Sequence, residues 1–317
     1  MYKSTIKQQI RDWLNVISRK KNQEWLIILL NNSSNSNVNS NKANNLFKIK
    51  SSIIDKIKLD FNVDKRDRCI QVSRIGVNGI EDKDCWSPLI NKLKLSIING
   101  FDNNLKSRLN DVEKSENQIN LPGWNFYTYF ILKESIALSY LGLKLYEKSY
   151  SIYRDLETFY QFSLNHHHSI ISQFSTFGAD QNNDDSLNLF KFDVKPYRQM
   201  ILSNSISVFD FKLYLFKSIS NILGNHLHNL NQILKFSLNF IKKFSIEISN
   251  SITSSSNVKN KFVTYWRFSN FLDVIEQCDH WSKVYNIRMD EDQLIEYKAL
   301  KSELIELTLS EVGVIFM

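Results

Sequence analysis

The fold turns on Trp124-Asn-Phe-Tyr-Thr-Tyr-Phe130 and on the stretch that follows it, Leu141-Gly-Leu-Lys-Leu-Tyr146-Glu-Lys-Ser-Tyr-Ser-Ile-Tyr153. Aromatic side chains (Trp124, Phe126, Tyr127, Tyr129, Phe130, Tyr140) crowd one predicted helix, and strand-like alternation stops at Pro122. A Leu-Gly pair, a tyrosine a few residues on, and small and aromatic positions beyond it describe a second helix folded back on the first. Aromatics at helical spacing in such a pair belong to the packing between helices, where their large area leaves water.

Toward the C-terminus this pairing continues. The hairpin resembles one tetratricopeptide-type unit, with spacing one residue looser than usual. No second copy follows at a fixed period, so the expectation is an α-solenoid without a regular repeat. Further helices are predicted near 205–223, 226–249 and 259–280, and the Ser/Thr/Asn run 249–257 separates the last two. Asp290 opens a final helix as a capping box with Gln293 at N3, and Glu291 and Asp292 occupy the first turn. Its apolar stripe is Leu294, Tyr297, Leu300, Leu304 and Leu307. Residues 165–195 read as one long polar loop, with order restarting at Lys195-Pro196-Tyr197.

Toward the N-terminus the pattern changes. Ile6, Ile10, Trp13, Leu14 and Ile17 give a helix over 3–19. Glu24 to Leu30 is a continuous apolar run, expected as a strand buried on both faces. Residues 31–45 hold eight Asn and four Ser and are expected to be a disordered insert. A helix at 49–61 and an alternating strand at 68–75 follow, and Ser87-Pro88 starts a long helix of about 25 residues. Its stripe is Ile90, Leu93, Ile97, Phe101, Leu105, Leu109 and Val112. The fold class is therefore mainly α: a small parallel α/β head over 1–115, then an α-solenoid over 116–317.

Composition limits the function. The 317 residues carry 40 Lys+Arg against 33 Asp+Glu, a formal charge of +7. There are 35 Asn, 38 Ser and 35 Ile but four Ala, so the lysines are part of a general compositional bias. The charge is too thin to imply nucleic acid. Three scattered cysteines exclude a disulfide framework and a four-Cys zinc site. The longest wholly apolar run, Trp25 to Leu30, is far too short to span a bilayer. Gly313-Val-Ile-Phe-Met317 ends the chain on an apolar run, which suggests a cut within a larger protein or an end that docks on a partner.

Each candidate for chemistry has a simpler reading. A phosphate cradle needs closely spaced glycines, and the turn after the second strand offers only Gly76-Val-Asn-Gly79. His166-His167-His168 are consecutive and cannot converge on one ion, so they read as a loop tract. Asp180, Asn182 and Asp184 mimic the first three calcium ligands of an EF-hand loop. Asp185 and Lys191 occupy the positions that need Gly and Glu. Cys278 and His280 point to different faces of one helix, which leaves a buried structural thiol. Phe236, Phe240 and Phe244 form a core stripe more readily than a base-stacking platform. No catalytic constellation, cofactor site or metal site is expected.

Specific strings carry the reading further. Leu121-Pro-Gly-Trp-Asn-Phe126, Phe130-Ile-Leu-Lys-Glu134, Phe177-Gly-Ala-Asp180, Asp184-Asp-Ser186, Lys195-Pro-Tyr-Arg198 and Ile201 through Phe211, running into Tyr214-Leu-Phe216, stand in order. With Glu24-Trp-Leu-Ile27, Lys65-Arg-Asp-Arg-Cys69 and the Trp86 to Ile90 helix start, they resemble the TRAPP (transport protein particle) complex subunit 10 family over about residues 3–245. The insert 31–45 and the length of 165–175 depart from the family pattern, and the head begins where a further strand is expected.

The resemblance implies a large, non-catalytic scaffold subunit of TRAPP II, a vesicle tether and exchange factor for Rab-family GTPases at the Golgi. It implies other TRAPP subunits as direct partners, a Rab GTPase as an indirect one, and peripheral membrane association through the complex. Trp124, Lys195, Pro196, Tyr197, Arg198, Asp210 and Phe211 are its motif residues, assigned to fold maintenance, with partner contact as the alternative. Two rivals remain. A tetratricopeptide-like peptide adaptor would show a concave groove with a polar floor. An enzyme on the α/β head would show a pocket at the strand ends.

Overall fold

The computed structural model describes residues 2–19, 23–31, 52–62, 66–73, 84, 86–166, 174, 177, 189–190, 195–251 and 256–315. The Asn/Ser-rich insert beyond Asn31 lies outside these residues, as does most of 167–194. The chain separates into two compact units, Met1–Ser107 and Arg108–Met317.

The first unit is built on two strands, β1 (Ile27–Asn31) and β2 (Cys69–Ser73). They pair in parallel, with Ile27 opposite Cys69 and Asn31 opposite Ser73. A parallel pair needs a crossover, supplied in part by α2 (Ile53–Phe61). That helix starts on a full capping box: the Asp55 backbone N–H donates to Ser52 Oγ, and the Ser52 N–H donates back to the Asp55 carboxylate. A π-helical turn (Tyr2–Ile6) leads into α1 (Lys7–Ser18), whose Ile10 and Leu14 pack on Ile57, Phe61 and Cys69 together with Trp25 and Ile27. Tyr2 and Lys7 both donate to the Asp60 carboxylate, at 2.8 and 2.6 Å, and pin α1 to α2.

Two expectations for this unit need correction. β1 is not buried on both faces: Ile28 and Leu30 are 42% and 61% exposed. Ile27 points into the core and its alternate neighbours point away, because side chains alternate along a strand and the described helices α1 and α2 cover one side. The long helix α3 (Ser87–Asn117) covers its stripe unevenly, with Ile90 at 48% and Ile97 at 64% exposed, Phe101 and Leu105 half-buried and Val112 buried. Its tie to the sheet is polar. Lys92 Nζ reaches Asp67 Oδ2 at 2.6 Å and the Cys69 carbonyl at 2.9 Å. Burial pushes the Asp67 acid up, but Lys92 and Asn62 outweigh it and hold the acid at about 2.

The second unit is all helix among its described residues. α4 (Phe126–Gly142) and α5 (Tyr146–His166) form the expected hairpin. Asn125 caps α4 by accepting from the Thr128 N–H at 2.9 Å. Lys144 makes the reversal in the left-handed region, at φ 60°. After α6 (Tyr197–Leu202) comes α7 (Val208–Asn221), and then α8 (Leu230–Ser251), α9 (Ser256–Val284) and α10 (Glu291–Ile315) stack in turn. The reciprocal Asp290–Gln293 box starts α10, with the Gln293 N–H on Asp290 Oδ1 at 2.8 Å. The molecule is thus mainly α, a small α/β head and a solenoid-like helical body.

Between α7 and α8 the chain makes a π-helical turn, Ile222–His226. It lets Trp281 of α9 lie against backbone: a Cβ on Gly224 would sit 2.4 Å from the indole ring. Trp281 Nε1 donates to Asn225 Oδ1 at 2.7 Å in the same turn. The reading of 165–195 as a polar loop is corrected at three points. α5 runs to His166, and Phe174, Leu189 and Phe190 are buried. Phe190 meets the rings of Phe216 and Trp281 at 5.8 and 5.6 Å, so apolar side chains within this polar composition serve as anchors.

Candidate interaction site

One of the residues singled out in the sequence, Arg198, reaches a carboxylate buried among the helices. Glu134 stands in the middle of α4, flanked by buried Phe130, Ile136 and Ala137, and is itself fully buried. A charge there must be paired. Arg198 Nε donates to Glu134 Oε2 at 3.0 Å, Tyr153 OH donates to Oε1 at 3.3 Å, and Tyr214 OH donates to the same oxygen. Four segments, α4, α5, α6 and α7, each contribute one group. Burial pushes the Glu134 acid upward, and the Tyr214 and Arg198 contacts pull against that shift. Burial, then the adjacent carboxylate, drive the Tyr214 and Tyr153 hydroxyls far up, so both stay neutral donors.

The other motif residues surround this knot. Tyr197 is buried, its ring 5.7 Å from that of Tyr214, and its hydroxyl accepts from Lys217 Nζ at 3.2 Å. Lys195 Nζ pairs with Asp210 Oδ1 at 3.1 Å, while Asp210 Oδ2 accepts from the Ser207 hydroxyl and the Asp210 N–H donates to Ser207 Oγ. Ser207 thus caps α7, and Asp210 in its first turn ties back the chain that enters α6. Pro196 sits at the N-cap of α6, where a missing N–H costs no hydrogen bond. Phe211 lies at the centre of an aromatic cluster, 5.0 Å from Phe130, 4.9 Å from Tyr160 and 5.5 Å from Phe126. Trp124 packs on Tyr129 at 5.9 Å and donates from Nε1 to the Ser115 carbonyl at 2.8 Å.

All seven motif residues therefore belong to one connected body of packing, and Glu134 is its hinge. The sequence strings contain Glu134, Tyr153 and Tyr214 without singling them out, and Lys217 lies outside them. The available signal was a charged residue inside an otherwise apolar helical face, which must find a partner when the helix is buried. Nothing in the knot is poised for reaction: its hydroxyls are donors with raised pKa values, and its carboxylate is already surrounded.

The remaining candidates are apart from it. His166 ends α5, while His167, His168 and the Asp180–Asp184 string lie outside the described residues. Among the described residues no group of three His, Cys, Asp or Glu is placed to hold a metal ion. Cys278 is buried and its thiol is pushed to about 12 by that burial. Its neighbour Asp279 turns instead to Lys301 Nζ, 2.5 Å away. Phe244 is buried as the core reading requires, while Phe236 and Phe240 are half-buried and stack on Phe216 at 5.1 and 4.5 Å. No described helix is long and apolar enough to cross a membrane.

Fold and site together define a helical scaffold whose distinctive residues hold helices to one another. Residues 1–119 match the family "Trafficking protein particle complex subunit 10-like, N-terminal". Over 90% of its length the chain is 28% identical to trafficking protein particle complex subunit 10 of Dictyostelium discoideum, of which it spans 21%. It is 28% identical over 66% of its length to the Homo sapiens protein of that name, spanning 15% of it. An Arabidopsis thaliana protein, the complex II-specific subunit 130 homolog, is 29% identical over 68% of the chain, which spans 16% of that relative. The chain is similar to these proteins and covers about a fifth or less of each of them. No solved structure matches it.

Proposed function

We propose that the chain is the N-terminal portion of a non-catalytic scaffold subunit in a TRAPP II-type assembly, acting in vesicle tethering and Rab guanine-nucleotide exchange in Golgi traffic. Its direct partners are other TRAPP subunits, the small core subunits and the second large subunit among them. It reaches the GTPase through the assembly and stays peripheral to the membrane, and it takes no cofactor and no nucleic acid. The head over 1–115 and the solenoid over 116–317 act as its two building blocks.

One observation carries this reading. Groups from four helical segments converge on the buried Glu134, where each is committed to holding helices together. A chain whose family-specific residues maintain shape, and whose relatives are named as complex subunits, fits a scaffold better than an enzyme. Trp124, Lys195, Pro196, Tyr197, Arg198, Asp210 and Phe211 are accordingly fold-holding residues in this proposal. The test is reconstitution. Full-length protein mixed with the small TRAPP subunits should co-elute with them in size-exclusion chromatography and should show no exchange activity alone. Separate elution would sink the assignment.

A further inference from the structure

The helix α3 packs on the first unit by a polar side. Lys92 meets Asp67 and the Cys69 carbonyl, Asn103 Nδ2 donates to Glu24 Oε1 at 3.4 Å, and a Cβ on Gly100 would sit 3.2 Å from the Glu24 side chain. An apolar row points elsewhere. Trp86, Ile90, Leu93 and Ile97 recur at helical spacing, with Ile98 beside them, and each is 40–64% exposed. Trp86 joins the row because its carbonyl already accepts the Ile90 N–H, at 2.9 Å. Lys94 lies within the row and is exposed. An apolar row left in water over several turns marks a contact surface.

Charge tells what covers it. Residues 1–107 hold nineteen Lys and Arg against ten Asp and Glu, a surplus of nine, whereas residues 108–317 hold twenty-one against twenty-three. The whole positive balance of the chain lies in the first unit. Six exposed cations there, Lys3, Arg11, Arg19, Lys56, Lys94 and Lys106, form no ion pair among the described residues. On α3 up to Ser107 the only acid is Asp102. The complement is therefore negative and apolar. The face is one convex helix surface, which the edge of a bilayer can envelop without a matching socket. Isoleucine and leucine enter the acyl boundary, tryptophan settles at headgroup level, and a lysine within the row lays its stem along them and reaches up to phosphate.

We propose that the outer face of α3, from Trp86 to Ile98, docks directly on an anionic lipid surface, drawn there by the positive charge of the first unit. This goes beyond the scaffold reading, in which the chain meets the membrane only through its assembly. The helix lies on the surface and does not cross it.

The test is co-sedimentation of the whole chain, without other subunits, with sucrose-loaded vesicles. One set is pure phosphatidylcholine; the other mixes phosphatidylcholine and phosphatidylserine at roughly seven to three. The chain should bind the anionic set saturably and the neutral set at least about tenfold more weakly. Ile97→Ser removes one inserted aliphatic side chain and should weaken binding about tenfold. Lys94→Glu should weaken it by about tenfold or more, because a cation near the surface becomes an anion. Both positions are exposed, so the melting temperature should stay at the parent value and a loss of binding is then not misfolding. Lys298→Glu, an equal charge change at an exposed position of α10, should leave binding unchanged. Equal binding to both vesicle sets, unchanged affinity in both α3 variants, or no saturable binding would overturn the proposal. So would loss of the small TRAPP subunits from both α3 variants in a chain that ignores vesicles, which would give this face to a protein partner. Failure with vesicles alone leaves co-elution with those subunits, and hence the scaffold reading, untouched.

Discussion

Glu134 is the residue on which the second unit depends most. Removing its side chain takes the acceptor from the buried Tyr153 and Tyr214 hydroxyls, and breaking a buried charged network costs about 3–5 kcal/mol. Glu134→Ala should therefore lower the stability of this unit by roughly 3 kcal/mol in urea unfolding, whereas Tyr265→Ala, at an exposed position, should cost under about 0.5. The pH dependence has a defined sign. Burial raises the folded-state pKa of Glu134 above its unfolded value, so the native state holds this proton more tightly. Its contribution to stability is greatest below the unfolded carboxylate pKa, about 4.3, and is lost as pH rises through the folded value. Glu134→Gln should flatten that decline; an unchanged pH profile would contradict it.

Asp67 behaves oppositely. Its folded pKa of about 2 lies below the unfolded value, so its contribution is present above the ordinary carboxylate range and disappears as pH falls toward 2. Lys92→Met removes the cation that holds this shift. The first unit should then be less stable at neutral pH, and its acid unfolding, followed by circular dichroism, should begin at higher pH. Gly224 supplies a third residue-scale expectation. A methyl group there would enter the Trp281 ring, so Gly224→Ala should destabilise by about 1–3 kcal/mol, read as a lower melting temperature.

At the scale of elements, much was legible because the signals were local. The Asp290–Gln293 box and the α4–α5 hairpin follow from short-range patterns, and the parallel pairing of β1 and β2 from the order of helices and strands. What was misread depends on what covers a face, which no local pattern reports. The stripe on α3 has helical period, yet Ile90 and Ile97 are exposed in the first unit. Likewise β1 is continuous in hydrophobicity but covered on one side. The segment 165–195 looked uniformly polar because its anchors are few: Phe174, Leu189 and Phe190 are scattered through Asn, Asp and Ser. Capping is the element-scale contribution most directly measured. Ser52→Ala removes the α2 box and should cost about 1 kcal/mol, seen as faster amide exchange along Ile53–Phe61. Exchange unchanged in that helix would mean the cap contributes nothing.

At the scale of the molecule, the candidate site was half visible. The strings that carried the resemblance named most of its members, because Trp124, the Lys195–Arg198 run and Phe211 are unusual as words of sequence. They did not show that Arg198 and Tyr214 reach Glu134, since those contacts join α4 to residues 64 and 80 positions away. Sequence separation of that size leaves no local trace. The contacts at Glu134 add a physical account to the resemblance: groups from four helical segments hold one set of helices in place.

The most direct measurement is affinity purification of the full-length protein at endogenous level, with the recovered polypeptides quantified by mass spectrometry. The scaffold account predicts the small TRAPP subunits in near-stoichiometric amounts. Recovery of the protein without those subunits would contradict it.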